Sequence, residues 1–172
     1  MDNLSMRYIL DANCFITQHR GGYNPLDVAI SFWNKIQELS NKDAICSLDK
    51  VRDELYGNDD ELKQWIKNNL PKTFFLPFAS EPTLSMLTNV SSWANSHNEY
   101  NNSAKKKFLK ADKADLYLTA FAASFPDRYT IVSFEKSNPK AIGEIKLPDA
   151  CRQFNARCIS LAEMFRELNQ TY

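Results

Sequence analysis

The stretch Arg7-Tyr8-Ile9-Leu10-Asp11-Ala12-Asn13 is a short apolar run that stops abruptly at an acid, a small residue and an amide. A run of this kind near the start of a chain is typical of a strand buried in a parallel sheet. Such a strand would carry Asp11 to the carboxyl edge of the sheet, where open α/β folds bind their ligands. The sequence therefore predicts a strand over residues 7–10 and a functional position for Asp11.

Short apolar runs alternate with helical patterns along the rest of the chain. Further strands are predicted at Ala44-Ile45-Cys46, Phe74-Phe75-Leu76, Thr130-Ile131-Val132-Ser133 and Arg157-Cys158-Ile159. The predicted order is β-α-β-α-α-β-α-α-β-α-β-α, which favours a parallel sheet covered by helices on both faces. The chain has 172 residues, with no internal repeat and no long linker, and it is interpreted as a single domain over residues 1–172.

Local signals set the expected helix boundaries. Pro25 is expected to open the helix after the first strand. Ser47 is expected to cap the helix that carries Glu54, and Ser160 with Glu163 has the spacing of a capping box at the last helix.

Two neighbouring stretches between these signals are interpreted differently. Residues 95–103 are polar and rich in Asn, which predicts a loop. Residues 111–123 are small and apolar enough for a buried helix, with Asp112 and Asp115 near its start, where acids complement the helix dipole.

Composition excludes several classes of protein. The 21 basic and 21 acidic side chains give a formal net charge of zero, so a surface for nucleic acid would have to be local. No apolar run approaches the roughly 20 residues of a membrane span. The polar N-terminus, residues 1–5, is not typical of a secretory signal, and we expect a cytoplasmic protein without a membrane segment.

The cysteines and histidines do not predict a metal site of the zinc type. The four cysteines are Cys14, Cys46, Cys151 and Cys158, and none forms a CxxC pair. His19 and His97 lack metal-like spacing, so we expect free thiols in a reducing compartment. Cys14 is near Asp11, but no His is placed to activate it, and buried packing is the favoured interpretation.

Four acids stand at positions that a parallel sheet would bring to one edge. They are Asp11, Glu54, Asp115 and Glu135. Carboxylates held together repel one another, and a divalent cation relieves the repulsion. Oxygen ligands without His or Cys favour Mg²⁺ or Mn²⁺, and such a cluster can activate water for phosphodiester hydrolysis. Taken singly, each acid also fits as a turn, capping or surface residue, so the hypothesis depends on the set.

A group of lysines precedes Asp115. They are Lys105, Lys106, Lys107, Lys110 and Lys113. Two interpretations stay open: a solvated helix face, or a surface that binds the phosphate backbone of RNA close to the acids.

Four segments, in order, resemble the motifs of the PIN-domain superfamily. They are Tyr8-Ile9-Leu10-Asp11-Ala12-Asn13, residues 47–55 with Glu54, residues 114–122 with Asp115, and Val132-Ser133-Phe134-Glu135. More narrowly, residues 25–33, Trp65 and Lys146-Leu147-Pro148 resemble the DUF4411 branch of PIN-like proteins.

The resemblance implies a Rossmann-like three-layer α/β/α fold with a mostly parallel central sheet of four to five strands. It also implies a Mg²⁺- or Mn²⁺-dependent endoribonuclease, with Asp11, Glu54 and Asp115 as catalytic metal ligands and Glu135 assisting. The family usually has Asp at the fourth position, and Glu135 is longer by a methylene. Asp112 is an alternative to Asp115, since two residues three apart on a helix share a face, but the Ala-rich pattern follows Asp115.

In bacteria, proteins of this kind are often the toxin of a type II toxin–antitoxin pair. The resemblance therefore implies an RNA substrate and a cognate antitoxin protein as partners, and leaves a homodimer open. A catalytically silent PIN-like module that binds RNA or a partner protein is the alternative. Phosphoryl transfer on Asp11, as in haloacid-dehalogenase-like phosphatases, ranks low because those enzymes need a second Asp where Asn13 stands.

Overall fold

A computed structural model describes residues 6–172. Residues 1–5, which argued against a secretory signal, lie outside the described part. The strands are β1 (Arg7–Leu10), β2 (Ile45–Leu48), β3 (Phe75–Leu76), β4 (Tyr129–Val132) and β5 (Cys158–Ile159). The helices found in this part are α1 (Ala12–His19), α2 (Ile30–Asn41), α3 (Asp49–Leu55), α4 (Glu61–Asn69), α5 (Glu81–Ser96), α6 (Asn102–Phe108), α7 (Asp115–Ser124), α8 (Leu147–Gln153) and α9 (Leu161–Glu167).

The five strands form one parallel sheet in the order β3-β2-β1-β4-β5, with helices packed against it. This is a Rossmann-like three-layer α/β fold, and the predicted fold class is confirmed. In the centre of the sheet, Tyr8 pairs with Ile45 on one side and with Thr130 on the other. All residues of β2 and β4 are buried, which explains why these strands are continuous apolar runs without alternation.

The strand order creates a switch point beside β1. The chain first moves outward from β1 to β2 and β3, and then returns to the other side of β1 with β4. The connections that leave β1 and β4 therefore diverge and open a crevice at the carboxyl edge, where folds of this class bind ligands. Asp11 follows β1 and Ser133 follows β4 at this crevice, as expected for Asp11.

Two helices were not predicted. Helix α1 begins directly after β1, and its sequence of Asn, Cys, Ile and Thr has little intrinsic helix propensity. The stretch 95–103 is only partly the predicted loop, because α5 continues to Ser96 and α6 begins at Asn102. Asn101 caps α6 by accepting a hydrogen bond from the Ala104 N–H at 2.8 Å, so the Asn-rich composition marked a helix start.

Several predicted boundaries are wrong for identifiable reasons. Helix α2 begins at Ile30, because residues 26–28 after Pro25 form a turn. Ser47 does not cap a helix: it stays in β2, and its hydroxyl donates to the Leu10 carbonyl at 2.6 Å, which ties β2 to the end of β1. The predicted helix over residues 111–123 begins only at Asp115. The capping box of Ser160 and Glu163 at α9 is confirmed.

The cysteines are free thiols, as predicted. Cys14, Cys46 and Cys151 are buried, and Cys158 is partly buried. Among residues 6–172, none of the helices combines the length and the apolar character that crossing a membrane requires.

Candidate carboxylate site at the edge of the sheet

Asp11 is held rigidly at the junction of β1 and α1. Its backbone is extended, with φ −72° and ψ 157°, and its side chain accepts a hydrogen bond from the Ala12 N–H at 2.7 Å. The Ser133 hydroxyl donates to its second oxygen at 3.0 Å. The residue is only 4% exposed. Burial, followed by the charge of Asp115, raises the pKa of Asp11 well above its ordinary value, although the hydrogen bond from Ser133 opposes the shift.

Ser133 and Asn13 join the ends of β1 and β4. The Asn13 amide donates to the Ser133 hydroxyl oxygen at 3.0 Å, and its carbonyl oxygen accepts from the Phe134 N–H at 3.0 Å. The Glu135 N–H also donates to the Ser133 hydroxyl oxygen, at 3.1 Å. These bonds fix the orientation of Asp11 and the path of the chain to Glu135. Ser133 and Asn13 belong to the motifs quoted above, but nothing in those motifs predicts that the two side chains form a hydrogen bond.

Asp115 is the first residue of α7 and is partly buried. Burial is the main cause that raises its pKa to about 7, and the charges of Glu135 and Glu54 add to it. The ammonium groups of Lys113 and Lys107 act in the opposite direction. No hydrogen bond among the described residues involves its carboxylate, so Asp115 carries an oxygen pair that is free to bind.

Glu54 and Glu135 flank this pair of aspartates and have other partners. Glu54 lies on α3, and one of its oxygens is 3.7 Å from the ammonium of Lys113. Glu135 lies beyond β4, and its carboxylate accepts the N–H of Leu147 at the start of α8, at 2.9 Å. The charges of both residues raise the pKa of Asp115, and Glu54 also raises that of Asp11. The structure therefore places the four predicted acids near enough for their charges to shift the pKa of Asp11 and Asp115.

Asp112 does not join this group. It lies in an exposed turn between α6 and α7, and it does not share a helix face with Asp115, because α7 begins at Asp115. The expectation that the two acids share a helix face is therefore wrong. Asp112 lines a surface groove of about 320 Å³ that also includes Glu54 and Lys113, but it is not among the acids whose charges raise the pKa of Asp11 or Asp115.

The predicted lysines divide into two sets. Lys105, Lys106 and Lys107 lie on α6, whereas Lys110 and Lys113 lie in the segment between α6 and α7. Lys107 and Lys113 are the members whose charges lower the pKa of Asp115.

The remaining lysines of the group are further from the acids or engaged elsewhere. The ammonium of Lys105 donates to the Asn95 carbonyl at 2.9 Å. Lys106 and Lys110 are exposed and take part in no ion pair within residues 6–172.

A further cation at the site, Lys146, was missed. Its ammonium is 2.5 Å from one oxygen of Glu144, whose other oxygen is 2.6 Å from the ammonium of Lys107. The hydrogen bond to Glu144 raises the pKa of Lys146, and the charges of Glu135 and Asp115 act in the same direction. Lys146 belongs to the Lys146-Leu147-Pro148 segment, but a lysine far along the chain carried no sign that it faces these acids.

A comparison with family models matches residues 8–172 to a family described as a domain of unknown function (DUF4411). The chain belongs to the DUF4411 family. The match spans all four acids and confirms the narrower of the two resemblances. Comparisons with curated proteins and with solved structures found no match.

The donor chemistry of this DUF4411 site fits a hard divalent cation. Asp11 and Asp115 offer carboxylate oxygens, the ligands that Mg²⁺ and Mn²⁺ prefer, at the carboxyl edge of the sheet. Cys14, the nearest thiol, has a raised pKa because of burial and donates to the Val132 carbonyl at 3.2 Å, so it packs as a neutral group. Within residues 6–172, however, no three His, Cys, Asp or Glu side chains stand in an arrangement ready to hold a metal ion.

Proposed function

We propose that this DUF4411 protein is a metal-dependent endoribonuclease of the PIN-like type, which hydrolyses phosphodiester bonds of RNA. The observation that carries the proposal is the meeting of Asp11 and Asp115 at the switch point of the sheet. Both have a pKa raised by burial and by neighbouring acids. Groups with such strongly perturbed pKa values, placed in a crevice, are typical of functional sites.

Asp11 and Asp115 would hold Mg²⁺ or Mn²⁺, which on binding supplies an activated water and neutralises the charge that develops during phosphodiester hydrolysis. Asp11 is oriented for this role by the Ala12 N–H and the Ser133 hydroxyl. Asp115 has a pKa of about 7 and gives up its proton to act as a ligand. Glu54 and Glu135, which contact Lys113 and the Leu147 N–H respectively, would assist in holding the cation.

The lysines around Asp115 would hold the RNA backbone. Lys107 and Lys113 are close enough to lower its pKa, and Lys146 is close enough to be influenced by its charge. Ammonium groups on several sides of an acidic crevice attract the phosphates that flank the bond to be cleaved, while the acids stay free for the reaction. Lys105, Lys106 and Lys110 extend the same basic surface along α6 and the segment that follows it.

The motif resemblance to PIN domains further supports a role as the toxin of a type II toxin–antitoxin pair. In that role the protein cleaves cellular RNA in the cytoplasm until a cognate antitoxin protein binds it.

A cleavage assay with matched variants tests the proposal. The wild-type chain is expected to cleave RNA with Mg²⁺ or Mn²⁺ and to be inactive in EDTA. Asp11→Asn keeps the size of the side chain and one oxygen that can accept a hydrogen bond, but it removes the charge, and it is expected to be inactive. Asp127→Asn changes an exposed acid in the turn before β4 and serves as the control, with wild-type activity expected.

Equal activity of the wild type and Asp11→Asn would indicate a contaminating nuclease and contradict the proposal. A folded wild-type chain that binds RNA but neither binds metal nor cleaves RNA would support a catalytically silent binding module instead.

A further inference from the structure

A second cavity lies next to the carboxylate site, on the side of α1 and α9. It has a volume of about 380 Å³, within the range of roughly 300–1,000 Å³ that is usual for pockets that bind small ligands. Its walls include Gln18, Phe134, Leu161, Phe165 and Tyr172. We refer to the cavity with these walls as the aromatic pocket. All of its lining residues are uncharged, in contrast to the lysine-rich surface on the α6 side of the acids.

Phe134 connects the aromatic pocket to the carboxylate site. It lies between Ser133, whose hydroxyl donates to Asp11, and Glu135. Its N–H donates to the Asn13 carbonyl oxygen at 3.0 Å, which fixes the backbone at this point. The pocket and the carboxylate site therefore share the segment from Ser133 to Glu135, with Phe134 lining the pocket.

The pocket offers the flat apolar surfaces that stack with ring systems. Phe134 is 39% exposed and Tyr172 is 56% exposed, although large aromatic side chains are usually covered. Leu161 and Phe165 form a buried floor beneath them, and the ring of Tyr172 packs on the ring of Phe165 at 5.1 Å between centroids. Aromatic side chains presented in this way are the surfaces on which single-stranded nucleic acids stack their bases.

Gln18 adds an unused hydrogen-bond donor to the wall of the pocket. The residue is only 5% exposed, and its carbonyl oxygen already accepts a hydrogen bond from the Asn24 amide. Its own amide nitrogen donates to no group among residues 6–172. The nitrogen is not among the buried unpartnered atoms of the described residues, so it is open to the pocket, where it can donate to an acceptor on a ligand ring.

We propose that the aromatic pocket binds one base of the RNA, unstacked from its neighbours, beside the phosphate that is cleaved. This inference rests on the proposed ribonuclease function and adds a base-binding pocket to it. A base inside a duplex has both faces covered by stacking and cannot enter such a pocket, so the pocket admits only an unpaired base. Phe134 stacks with the base, and the Gln18 amide donates to a carbonyl oxygen or ring nitrogen at its edge.

Binding of a labelled RNA tests the pocket separately from catalysis. The affinity of a short fluorescein-labelled oligouridylate is measured by fluorescence anisotropy in EDTA, which prevents cleavage, and compared with that of a duplex of the same length. The single strand is expected to bind more tightly. Phe134→Ala is expected to weaken its binding roughly ten- to a hundredfold, the loss expected from one stacked base.

Three further variants sharpen this test. Phe134→Trp retains a flat ring and should retain the affinity. Gln18→Glu retains an oxygen for Asn24 but replaces the free donor with an acceptor, and should weaken binding at a temperature at which melting curves show the variant to be folded. Leu84→Ala removes another exposed apolar side chain, on α5 and outside the lining of the pocket, and should change nothing.

The outcomes distinguish this inference from the proposed function. If the wild type and Phe134→Ala bind the single strand equally while cleavage depends on Asp11, the aromatic pocket is not a base site and the ribonuclease proposal stands. Tighter binding of the duplex would overturn the inference as well. If Phe134→Ala and Gln18→Glu weaken binding but the wild type cleaves no RNA with any metal, the base site stands and the ribonuclease proposal falls.

Discussion

Two groups of ionisable side chains lie at opposite ends of β1. One group combines opposite charges and the other combines like charges, so the pKa values of their carboxylates shift in opposite directions. Near the start of the strand, the carboxylate of Glu167 accepts hydrogen bonds from the Tyr8 hydroxyl, at 2.8 Å, and from the guanidinium of Arg157. These bonds lower the pKa of Glu167 to about 2, and the bond from Arg157 has the larger effect. At the end of the strand, Asp11 meets Asp115, and the pKa of both is raised.

The difference separates a structural ion pair from a site maintained for function. The Glu167 group combines opposite charges and favours the ionised carboxylate, so it contributes to the stability of the fold at neutral pH. The aspartates combine like charges in a buried crevice, and each ionisation there opposes folding. A protein that needed only to fold would gain by replacing Asp115, and its presence is explained if it binds a cation or takes part in a reaction.

The largest expected effect is on catalysis. Asp115→Asn is expected to reduce the rate of RNA cleavage on the order of 10²–10⁴-fold, as for the loss of a group that acts on the reacting atoms. Glu167→Gln removes a charge at the other end of β1 and is the matched control. Cleavage rates with Mn²⁺ in excess make the comparison. If both variants lost activity to the same extent, the contrast between the two ends of the strand would not hold.

The second effect is a gain in stability from the same substitution. The folded-state pKa of Asp115 is about 7 and its ordinary value is 3.8, so the folded state retains the proton longer than the unfolded chain. The free energy of unfolding of the wild type therefore falls as the pH rises from about 4 to about 7. In EDTA at about pH 8, Asp115→Asn should be more stable than the wild type by roughly 1–3 kcal/mol, and the gain should disappear near pH 4.

Urea denaturation at several pH values measures this difference. A variant less stable than the wild type at high pH would show that Asp115 has a structural partner, and that its repulsion from the other acids is minor.

The third effect is a loss of stability, and it is smaller than the gain expected for Asp115→Asn. Glu167→Gln should lower the melting temperature at neutral pH, because the folded state loses a carboxylate that Arg157 and Tyr8 stabilise. The pKa of Glu167 is lowered from 4.5 to about 2, so the stability it contributes is present above pH 4.5 and is lost as the pH falls toward 2. Melting curves of the wild type and the variant should therefore converge in acid. Curves that stay equally far apart at every pH would assign the effect to packing.

The smallest effect is expected at Asp112. Because it lies in an exposed turn outside the group of four acids, Asp112→Asn should change the cleavage rate by no more than about twofold, as surface substitutions usually do. A loss of activity comparable to that of Asp115→Asn would reverse the choice between the two residues.

The fold was largely predictable because β1 and β4 are buried on both faces. Their apolar runs stop at polar residues, and both strand positions and the parallel arrangement follow from that pattern. Helix α1 was missed because its sequence has weak helix propensity and is held by Asp11, which accepts from the Ala12 N–H. The start of α7 was misplaced because its N-cap is Ala114, which makes no side-chain capping bond and gives no signal in the sequence.

Local sequence likewise predicts the positions of some residues of the site, but not the contacts between distant segments. Asp11 and Asp115 stand at the end of a strand and the start of a helix, which places them at the shared edge. The contacts of Ser133 with Asn13, and of Lys146 with Glu144, join segments that are distant in the chain. Such pairs depend on the strand order β2-β1-β4 and on the path of the loops, which a single sequence does not specify.

A calorimetric titration of Mn²⁺ into the wild-type chain tests directly whether Asp11 and Asp115 bind a divalent cation. We expect Mn²⁺ to bind with release of protons. The release should be larger below about pH 7 than above it, because Asp115 has a pKa of about 7 and must ionise to bind. Glu167→Gln should bind Mn²⁺ as the wild type does, and Asp11→Asn and Asp115→Asn should not. If the wild type did not bind Mn²⁺, or if Asp115→Asn bound it equally well, the proposed metal site would be contradicted.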